Sequence, residues 1–267
     1  MKCCVLMAHV PDTASVIKVG AAGNRIDEAG IKWIVSPFDE YALEEAIRLK
    51  EAKGGSVTVV AFGPDGADRT PQGLRECLAR GADAAVHVRS GERAFGDSFT
   101  IARVLAEAVK KVGPFDLVLA GMKGVGTDSG LVGAMVAELL DLPHVTDVTK
   151  LEVGDGKLTA HREIEGGTEV VDAPLPCLIT AQKGLNEPRY PSLKGIMASK
   201  RVPIQAFAPA DLGFDEAKMA GDEARCRWRS LALPQAKSGG TLIKGEEDPA
   251  GAAAQLARLL REQAKAI

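Results

Sequence analysis

The chain has 267 residues, of which 46% are hydrophobic and 26% are charged. This balance is typical of a globular protein that buries a core, and it excludes disorder over most of the chain. A formal net charge of −3 gives no reason to expect a general binder of nucleic acids or membrane surfaces. An aromatic content of 4% argues against stacking platforms for single-stranded nucleic acid.

Short apolar runs alternate with amphipathic helical patterns in the first half of the chain. The apolar start at residues 2–8 is too short for a signal peptide and predicts a first strand. The same kind of run predicts further strands at residues 57–62, 84–88 and 116–120. Helical spacing of apolar residues predicts helices at residues 38–53, 70–80, 98–111 and 131–140. Continuous apolar strands that alternate with helices predict a parallel sheet covered on both faces.

The second half of the chain, and the long connection at residues 10–36, depart from this alternation. Val19-Gly20 and Gly23-Asn24 predict a small hairpin within that connection. Asp155-Gly156 lies between apolar runs at 148–153 and 158–164 and predicts a second hairpin. A buried strand is predicted at residues 176–181.

The remainder of the chain is predicted from composition. Residues 183–203 are polar, basic and rich in proline, which predicts an exposed loop. An irregular arm at 203–245 and a terminal helix at 249–265 follow. The predicted fold class is therefore α/β, a doubly wound, Rossmann-like parallel sheet with a β-hairpin extension and a C-terminal arm.

The 5 cysteines are odd in number, and no CxxC motif is present. Four of them, Cys3, Cys4, Cys77 and Cys177, lie in apolar surroundings. Buried free thiols, and with them a reducing compartment, are therefore expected.

Residues 121–134 form a glycine-rich stretch that leaves a predicted strand and enters a predicted helix. Small residues let backbone N–H groups approach an anion, and the helix N-terminus adds its dipole. The stretch matches neither a P-loop nor the GxGxxG fingerprint. Taken alone it fits either phosphate binding or a plain strand-to-helix turn. Asp128 likewise fits either a nucleotide contact or a helix cap.

Two other segments end at the same edge of the predicted sheet. Gly63-Pro64 terminates the strand at 57–62, and Ser36-Pro37-Phe38-Asp39 opens the first helix. Because ligands of open α/β sheets bind at the carboxyl ends of strands near the switch in strand order, the three segments predict a nucleotide crevice. The histidines are scattered and no spacing matches a metal site, so the sequence predicts neither a catalytic residue nor a metal centre.

The stretch from Arg162 to Thr180 carries a basic residue, the acidic-Gly-Gly core Glu165-Gly166-Gly167, then Glu169, aliphatic residues and Pro176. This pattern resembles the signature of the electron transfer flavoprotein β subunit. Segments 37–46, 77–83 and 185–197 agree with it. The resemblance covers residues 1–213 and, more loosely, the tail.

The resemblance implies an α/β heterodimer in which the α partner carries the redox-active FAD and the β subunit binds AMP. The family's AMP positions fall on residues at the predicted crevice: Leu6, Ser36, Pro37, Phe38, Asp39, Phe62, Gly63, Gly126, Thr127, Asp128, Ser129, Gly130, Leu131, Val132, Gly133 and Ala134. Ser36 replaces a usual Asn, Ala8 a usual Lys, and Gly126 a commonly acidic residue. These changes weaken side-chain contacts but leave backbone contacts at 130–133 in place.

The resemblance also implies surfaces for partners. Residues 183–202 resemble a recognition loop that docks dehydrogenases, with Leu193 as its apolar anchor, while a solvated loop stays open as the alternative from composition alone. The implied partner-binding residues are Glu169, Arg189, Tyr190, Leu193, Lys194, Ile196, Met197 and Lys200. Glu169 resembles a family glutamate that pairs with an arginine of the α partner.

The implied domain organisation is a nucleotide-binding domain at 1–202 and an arm at 203–267 that wraps the α subunit. The arm is expected to bury Leu212, Phe214 and Trp228 in that partner.

The leading hypothesis is an electron-carrier subunit, not an enzyme by itself. By resemblance it passes electrons from flavin dehydrogenases, such as acyl-CoA dehydrogenases of fatty acid oxidation, through FAD to a membrane quinone reductase. A cytoplasmic location without membrane insertion or nucleic-acid binding is expected.

Two alternatives remain. One is the FAD-bearing β subunit of an electron-bifurcating complex, whose members tend to have Pro where Ala134 stands and to lack the segment at 186–190. The other, from a different class, is an ATP-using or nucleotide-sensing α/β module, which would not need the pattern at 162–180. The bound nucleotide, AMP, FAD or exchangeable ATP, separates the three.

Overall fold

A nine-stranded sheet forms the centre of the fold. The computed structural model describes residues 1–66, 69–90, 97–215, 218–219, 224–226, 229–235 and 239–267, so Trp228 lies outside the described residues. The strands are β1 (Lys2–Met7), β2 (His9–Pro11), β3 (Lys18–Val19), β4 (Ile26–Asp27), β5 (Trp33–Val35), β6 (Ser56–Gly63), β7 (Ala84–Arg89), β8 (Leu117–Gly121), β9 (His144–Val153), β10 (Lys157–Ile164), β11 (Gly167–Pro174), β12 (Cys177–Ala181) and β13 (Ile204–Phe207). The helices are α1 (Pro37–Lys53), α2 (Thr70–Arg80), α3 (Ser98–Val112), α4 (Val132–Leu139), α5 (Leu193–Ser199) and α6 (Pro249–Glu262), with a short 3-10 helix at Pro209–Leu212.

The order of strands in the main sheet is β11-β10-β9-β12-β8-β1-β6-β7-β13. The seven neighbouring strands β9-β12-β8-β1-β6-β7-β13 pair in parallel. On the other side of β9, the strands β10 and β11 continue the sheet as an antiparallel extension. The chain runs outward from β1 through β6 and β7, then returns to the other side of β1 as β8. The direction of winding therefore switches between β1 and β8, where open α/β sheets bind their ligands.

Two apolar layers cover the sheet, which confirms the doubly wound prediction. Along β1, Cys3, Val5 and Met7 face the layer beneath α1 and α2, whereas Cys4 and Leu6 face the layer beneath α3 and α4. Because both faces are buried, the strand is apolar at every position rather than alternating.

The four cysteines predicted to be buried are buried and free. Burial raises the pKa of the Cys3 thiol to about 12 and that of Cys177 to about 11. Cys226 is exposed. The buried thiols are therefore protonated packing groups at neutral pH.

The hairpin predictions are confirmed and extended. Strands β3 and β4 pair within the first long connection, and β9 pairs with β10 around Asp155-Gly156. The sequence missed β11, which pairs with β10 along its whole length. It also missed the pairing of β2 with β5.

Two segments predicted to be irregular are ordered elements of the fold. Residues 193–199 of the expected loop form α5, and residues 204–207 of the expected arm form β13, which pairs with β7 in parallel. Leu212 and Phe214 pack against the core under α3 and α4 of their own chain. Both residues are half-buried, so part of their surface already belongs to the core of their own chain.

The chain divides into two compact units, Met1–Leu231 and Ala232–Ile267. In the second unit, α6 begins at Pro249, with Asp248 accepting a hydrogen bond from the Gly251 N–H at 2.9 Å. Leu256 on this helix is half-exposed. Among the described residues, no helix is both long and apolar enough to cross a bilayer.

Candidate functional site

One buried carboxylate joins the two strands at the switch point. Asp39, in the first turn of α1, accepts hydrogen bonds from the N–H groups of Ala8 and Gly121, each at 2.8 Å. Ala8 follows β1 and Gly121 ends β8. A Cβ at Gly121 would lie 2.5 Å from the Asp39 carboxylate, so the close approach requires glycine there. The carboxylate that was predicted to face a nucleotide is thus committed to the two strand ends.

Burial raises the pKa of Asp39 to about 7, although the hydrogen bonds from Ala8 and Gly121 act in the opposite direction. The desolvation of a carboxylate with so little solvent contact outweighs two backbone donors. Asp39 therefore changes charge near neutral pH at the centre of the crevice.

Ser36 precedes α1 close to Asp39 in the chain, and its side-chain hydroxyl makes no hydrogen bond to the described residues. Its N–H donates to the Ala8 carbonyl at 2.9 Å, and its side chain is fully buried. An unsatisfied buried hydroxyl is costly, so its position at the crevice fits a polar group of a ligand.

The segment we call the glycine loop, residues 122–131, connects β8 to α4. Its start is fixed by the Met122 N–H, which donates to the Ala181 carbonyl of β12 at 3.0 Å. Asp128 does not cap α4; its carboxylate lies 3.2 Å from the Lys123 ammonium. Asp128, Gly126 and Gly130 all have positive φ, so the loop turns sharply before the helix.

Helix α4 starts without a side-chain cap from Leu131. The N–H groups of its first turn have no partner inside the helix, and the helix dipole favours an anion there. Gly133 is buried, and a Cβ at this position would lie 2.7 Å from Thr180 Cγ2. Glycine at 133 therefore lets the start of α4 approach the sheet edge.

The structure brings the predicted crevice residues together unequally. Gly121 lies against Phe38 and Asp39, so the glycine-rich stretch and the segment that opens α1 meet directly. Gly63 ends β6, one strand further from the switch point, and its surroundings are taken by Thr70 and by the His87 ring, whose Nε2 lies 2.8 Å from the Gly63 carbonyl.

The remaining crevice positions are placed as follows. Leu6 is buried in the sheet, and Phe62 is half-buried against the same apolar layer. Thr127, Ser129 and the rest of residues 126–131 are exposed, while Val132 and Ala134 are half-buried. Pro37 is the first residue of α1.

His9 lies just beyond Ala8 and stacks with Trp33 at 6.2 Å between ring centroids. The Arg69 guanidinium lies 3.7 Å from the centroid of the Trp33 ring. Burial, aided by the Arg69 charge, lowers the pKa of His9 to about 4. His9 is therefore a neutral packing group at physiological pH. Among the described residues, no cluster of His, Cys, Asp and Glu could hold a metal ion.

The predicted docking residues lie on and before α5. Ser192 caps this helix by accepting from the Gly195 N–H at 3.0 Å. Leu193, Ile196 and Met197 share one exposed face through their i, i+3 and i+4 spacing. Leu193 is 85% exposed and Tyr190 is 91% exposed. An apolar helix face open to solvent is typical of an interaction surface.

The basic residues among the implied partner-binding positions are only partly open to a partner. Lys194 and Lys200 are exposed as expected. Arg189 is instead paired with Glu44 and Glu51 of α1, at 2.9 Å and 2.6 Å. The sequence could not reveal this pairing, because the partners lie 145 and 138 residues away.

Glu169 stands exposed on the edge strand β11. Its carboxylate lies 2.9 Å from Arg162 Nη1 on the neighbouring strand β10. Arg162 is held in turn by Thr146, whose carbonyl and hydroxyl accept from it at 3.1 Å and 3.0 Å. Ile164 and Val170 are exposed on the same extension. The extension thus combines an ion pair with apolar surface.

Comparison with known proteins gives a consistent result. The family model of the electron transfer flavoprotein domain matches residues 23–212. The chain is 41% identical over 266 residues to an electron transfer flavoprotein subunit beta of Bacillus subtilis (strain 168), with 98% of each chain covered. It is 38% identical over 265 residues to the same subunit of Syntrophomonas wolfei, covering 99% of this chain and 98% of the relative. It is also 39% identical over 249 residues to subunit CarD of a caffeyl-CoA reductase-Etf complex of Acetobacterium woodii, with 92% of each covered.

Proposed function

The chain belongs to the electron transfer flavoprotein family as a β subunit, and from this premise we propose that it is an electron-carrier subunit of an α/β heterodimer, not an enzyme by itself. The observation that carries the proposal is the exposed apolar face of α5, formed by Leu193, Ile196 and Met197. A domain that only bound a nucleotide would not need such a face. A carrier that must dock a second flavoprotein would.

We propose that the crevice between β1 and β8 holds AMP. The unpaired hydroxyl of Ser36 and the uncapped start of α4 supply a polar contact and N–H donors for a phosphate. Lys123 lies in the same loop, where its ammonium is paired with the Asp128 carboxylate at 3.2 Å. Asp39 positions both walls through its two backbone bonds. In this assignment AMP is structural, because the described residues around it offer no acid–base or nucleophilic pair.

In the proposed heterodimer, FAD is held mainly by the α subunit and, when bound, supplies the redox chemistry. The role of this chain is to fix the partners. Glu169 and the apolar residues Ile164 and Val170 on the antiparallel extension are proposed to face the α subunit. Because Arg162 already neutralises part of the Glu169 charge, an arginine of the partner would share that carboxylate.

The unit Ala232–Ile267 is proposed to wrap the α subunit. Leu233, Leu242, Leu256 and Ile267 leave extensive apolar surface within a short segment. Surface of this kind needs a cover in a stable protein. The wrapping segment is shorter than the whole region 203–267, because β13, Leu212 and Phe214 serve the core of their own chain.

The proposed donors are flavin dehydrogenases, such as acyl-CoA dehydrogenases, and the proposed acceptor is a membrane quinone reductase. Lys194 and Lys200 beside the apolar face favour a donor with an acidic rim, since complementary charges steer encounter. A cytoplasmic location suits the buried thiols, which persist in reducing surroundings.

The test is reconstitution. The chain is coexpressed with its α partner, and the purified complex is supplied with an acyl-CoA dehydrogenase and its substrate. The proposal expects a stable 1:1 complex whose flavin is reduced by the dehydrogenase and reoxidised by a quinone reductase. A complex whose flavin no dehydrogenase reduces would refute the carrier role.

A second candidate is the FAD-bearing β subunit of an electron-bifurcating complex. The observation that favours it is the relative CarD, named as part of a caffeyl-CoA reductase-Etf complex. Ala134, where the resemblance expects Pro in such proteins, and the segment at 186–190 favour AMP instead. A second FAD per heterodimer would decide for the bifurcating role.

A further inference from the structure

Arg189 fastens the start of the docking segment, residues 183–202, to α1. Its Nε donates to Glu44 Oε2 at 2.9 Å, its Nη2 to Glu44 Oε1 at 3.0 Å, and its Nη1 to Glu51 Oε1 at 2.6 Å. The backbone N–H of Arg189 also donates to Glu44, at 3.1 Å. Glu44 is nearly inaccessible, with 4% of its side chain exposed. One guanidinium thus spans two carboxylates on the same face of α1.

The electrostatics of this contact mark it as a firm one. Burial would raise the pKa of Glu44, but the hydrogen bonds from Arg189 and Arg48 outweigh it and hold that pKa below its ordinary value. The bonds to Glu51 and Glu44 raise the pKa of Arg189. Bidentate, charge-assisted bonds of this kind are stronger and more directional than ordinary surface ion pairs. Asn186 adds two bonds, to the Tyr41 carbonyl at 2.9 Å and to Glu45 at 3.0 Å.

A second arginine fastens the other end of the segment. Arg75 of α2 donates through Nη1 to the carbonyls of both Ser199 and Val202, just where α5 ends. Between the two ends, Gly195 lies directly on α2, since a Cβ there would be 2.1 Å from the Ala79 carbonyl oxygen. The segment is therefore attached to α1 at its start, to α2 in its middle and to α2 at its end.

Helix α5 needs this support because it is short. It has 7 residues, whereas isolated helices below ~12–15 residues are marginal in water. Its apolar face points to solvent and gives it no core of its own. What keeps it helical must come from the Ser192 cap, from its packing on α2 through Gly195 and from the two arginine clamps.

We propose that Arg189 and Arg75 are positioning residues for docking: they hold α5 in the shape that a dehydrogenase recognises before the dehydrogenase arrives. This inference rests on the proposed docking role of α5. In it, Arg189 does not contact the dehydrogenase; the bonds of its guanidinium to α1 fix the backbone that leads to Leu193. Pre-forming the helix removes an ordering cost that the encounter would otherwise bear.

The competing role for Arg189, a basic residue at the rim of the interface, predicts different behaviour. A rim residue acts through its charge, so a lysine in its place would keep most of its effect, and its loss would weaken the salt dependence of docking. A clamp acts through its planar fork, which a lysine cannot reproduce. Arg189→Lys therefore separates the two roles, because it keeps the charge and removes the fork.

The experiment uses the α/β heterodimer with Arg189→Lys and Arg75→Met, and the matched controls Arg201→Lys and Arg201→Met. Methionine is used at position 75 because both bonds of Arg75 come from one nitrogen, which a lysine ammonium could replace. Arg201 is an exposed arginine of the same segment, so the controls make the same changes outside the clamps. Amide hydrogen exchange is measured over residues 193–199 in the heterodimer alone. The KM and kcat of a donor dehydrogenase for each heterodimer are then measured over a range of ionic strength.

The expected result is faster exchange at 193–199 in both clamp variants and wild-type exchange in the controls. If the docking shape is then populated in about a quarter of molecules, KM rises about fourfold. The kcat stays unchanged, since the flavin is not touched. The salt dependence of kcat/KM runs parallel to that of wild type in Arg189→Lys and to that of Arg201→Met in Arg75→Met.

Two results would overturn the proposal. One is wild-type exchange and wild-type KM in both clamp variants. The other is a raised KM with unchanged exchange, which would show that Arg189 contacts the dehydrogenase itself. If the wild-type heterodimer accepts no electrons from any dehydrogenase, the proposed function fails, while the exchange measurement still decides whether the arginines hold α5.

Discussion

Leu193→Ala is the perturbation that isolates the apolar anchor of α5. The substitution removes three carbon atoms from a side chain that is 85% exposed in the free chain. At about 0.8 kcal/mol for each buried methylene, covering that fraction by a partner contributes about 2 kcal/mol. Because ~1.4 kcal/mol is tenfold in affinity, the variant should bind its donor roughly thirtyfold more weakly. Folding should be unaffected, since Leu193 packs against little of its own chain.

The assay is steady-state reduction of the heterodimer by an acyl-CoA dehydrogenase, titrated with wild type and variant. A matched control is Val16→Ala, because Val16 is 82% exposed and lies in the first long connection, outside residues 183–202. Control and wild type should behave alike. FAD content and chemical reduction of the flavin should be equal in all three proteins.

A Leu193→Ala variant with the KM and kcat of wild type would show that Leu193 does not anchor a donor. Residues 183–202 would then be a solvated segment, and the docking surface would have to lie elsewhere. An equal loss in the Val16→Ala control would also count against an anchor role for Leu193, because a general effect on the protein would then explain the result.

Three further predictions follow from charge, packing and protonation. Lys200→Glu should lower the association rate with the donor and flatten its dependence on salt, measured by stopped flow; an unchanged rate would remove Lys200 from the interface. Gly133→Ala should reduce the AMP retained by the purified heterodimer, because its Cβ would meet Thr180 at 2.7 Å, while Gly124→Ala, whose nearest contact is a movable hydroxyl at 3.3 Å, should retain it. A folded-state pKa of about 7 for Asp39, raised from 3.8, means that the folded form holds its proton longer than the unfolded form. The stability of wild type relative to Asp39→Asn should therefore fall as pH rises from about 4 to about 7, and a pH-independent difference in thermal unfolding would contradict this.

The sheet was predictable because burial on both faces leaves a clear trace in composition. Strand β1 is apolar at consecutive positions, since Cys3 and Val5 face one layer while Cys4 and Leu6 face the other. Turn chemistry at Asp155-Gly156 predicted the second hairpin in the same local way. Patterns that lie within a dozen residues carry enough information for such elements.

Long-range contacts explain what the sequence could not reveal. Strand β13 forms at the edge of the sheet by pairing Ile204–Phe207 with β7, and its own four residues give no sign of that partner. Arg189 looked like a rim residue because lysines stand near it, yet its partners are on α1. Asp39 looked like a nucleotide contact, yet its carboxylate bonds backbone groups 31 and 82 residues away.

For α5, the sequence contained a local helix signal, but the composition around it favoured a loop. Ser192 before Leu193, with Ile196 and Met197 at helical spacing, is the signature of a capped helix. The surrounding prolines and basic residues favoured a loop. The helix forms because the tertiary contacts of Arg75 and Gly195 stabilise it, and these contacts cannot be seen in the local sequence.

The nucleotide content of the purified heterodimer tests the proposed AMP site most directly. Denaturing the complex and separating the released nucleotides by chromatography gives the AMP and FAD per α/β pair. We expect one AMP and one FAD per α/β pair in the wild type. In Gly133→Ala we expect less AMP and an unchanged amount of FAD. Two FAD and no AMP, or exchangeable ATP in the crevice, would contradict the proposed AMP site.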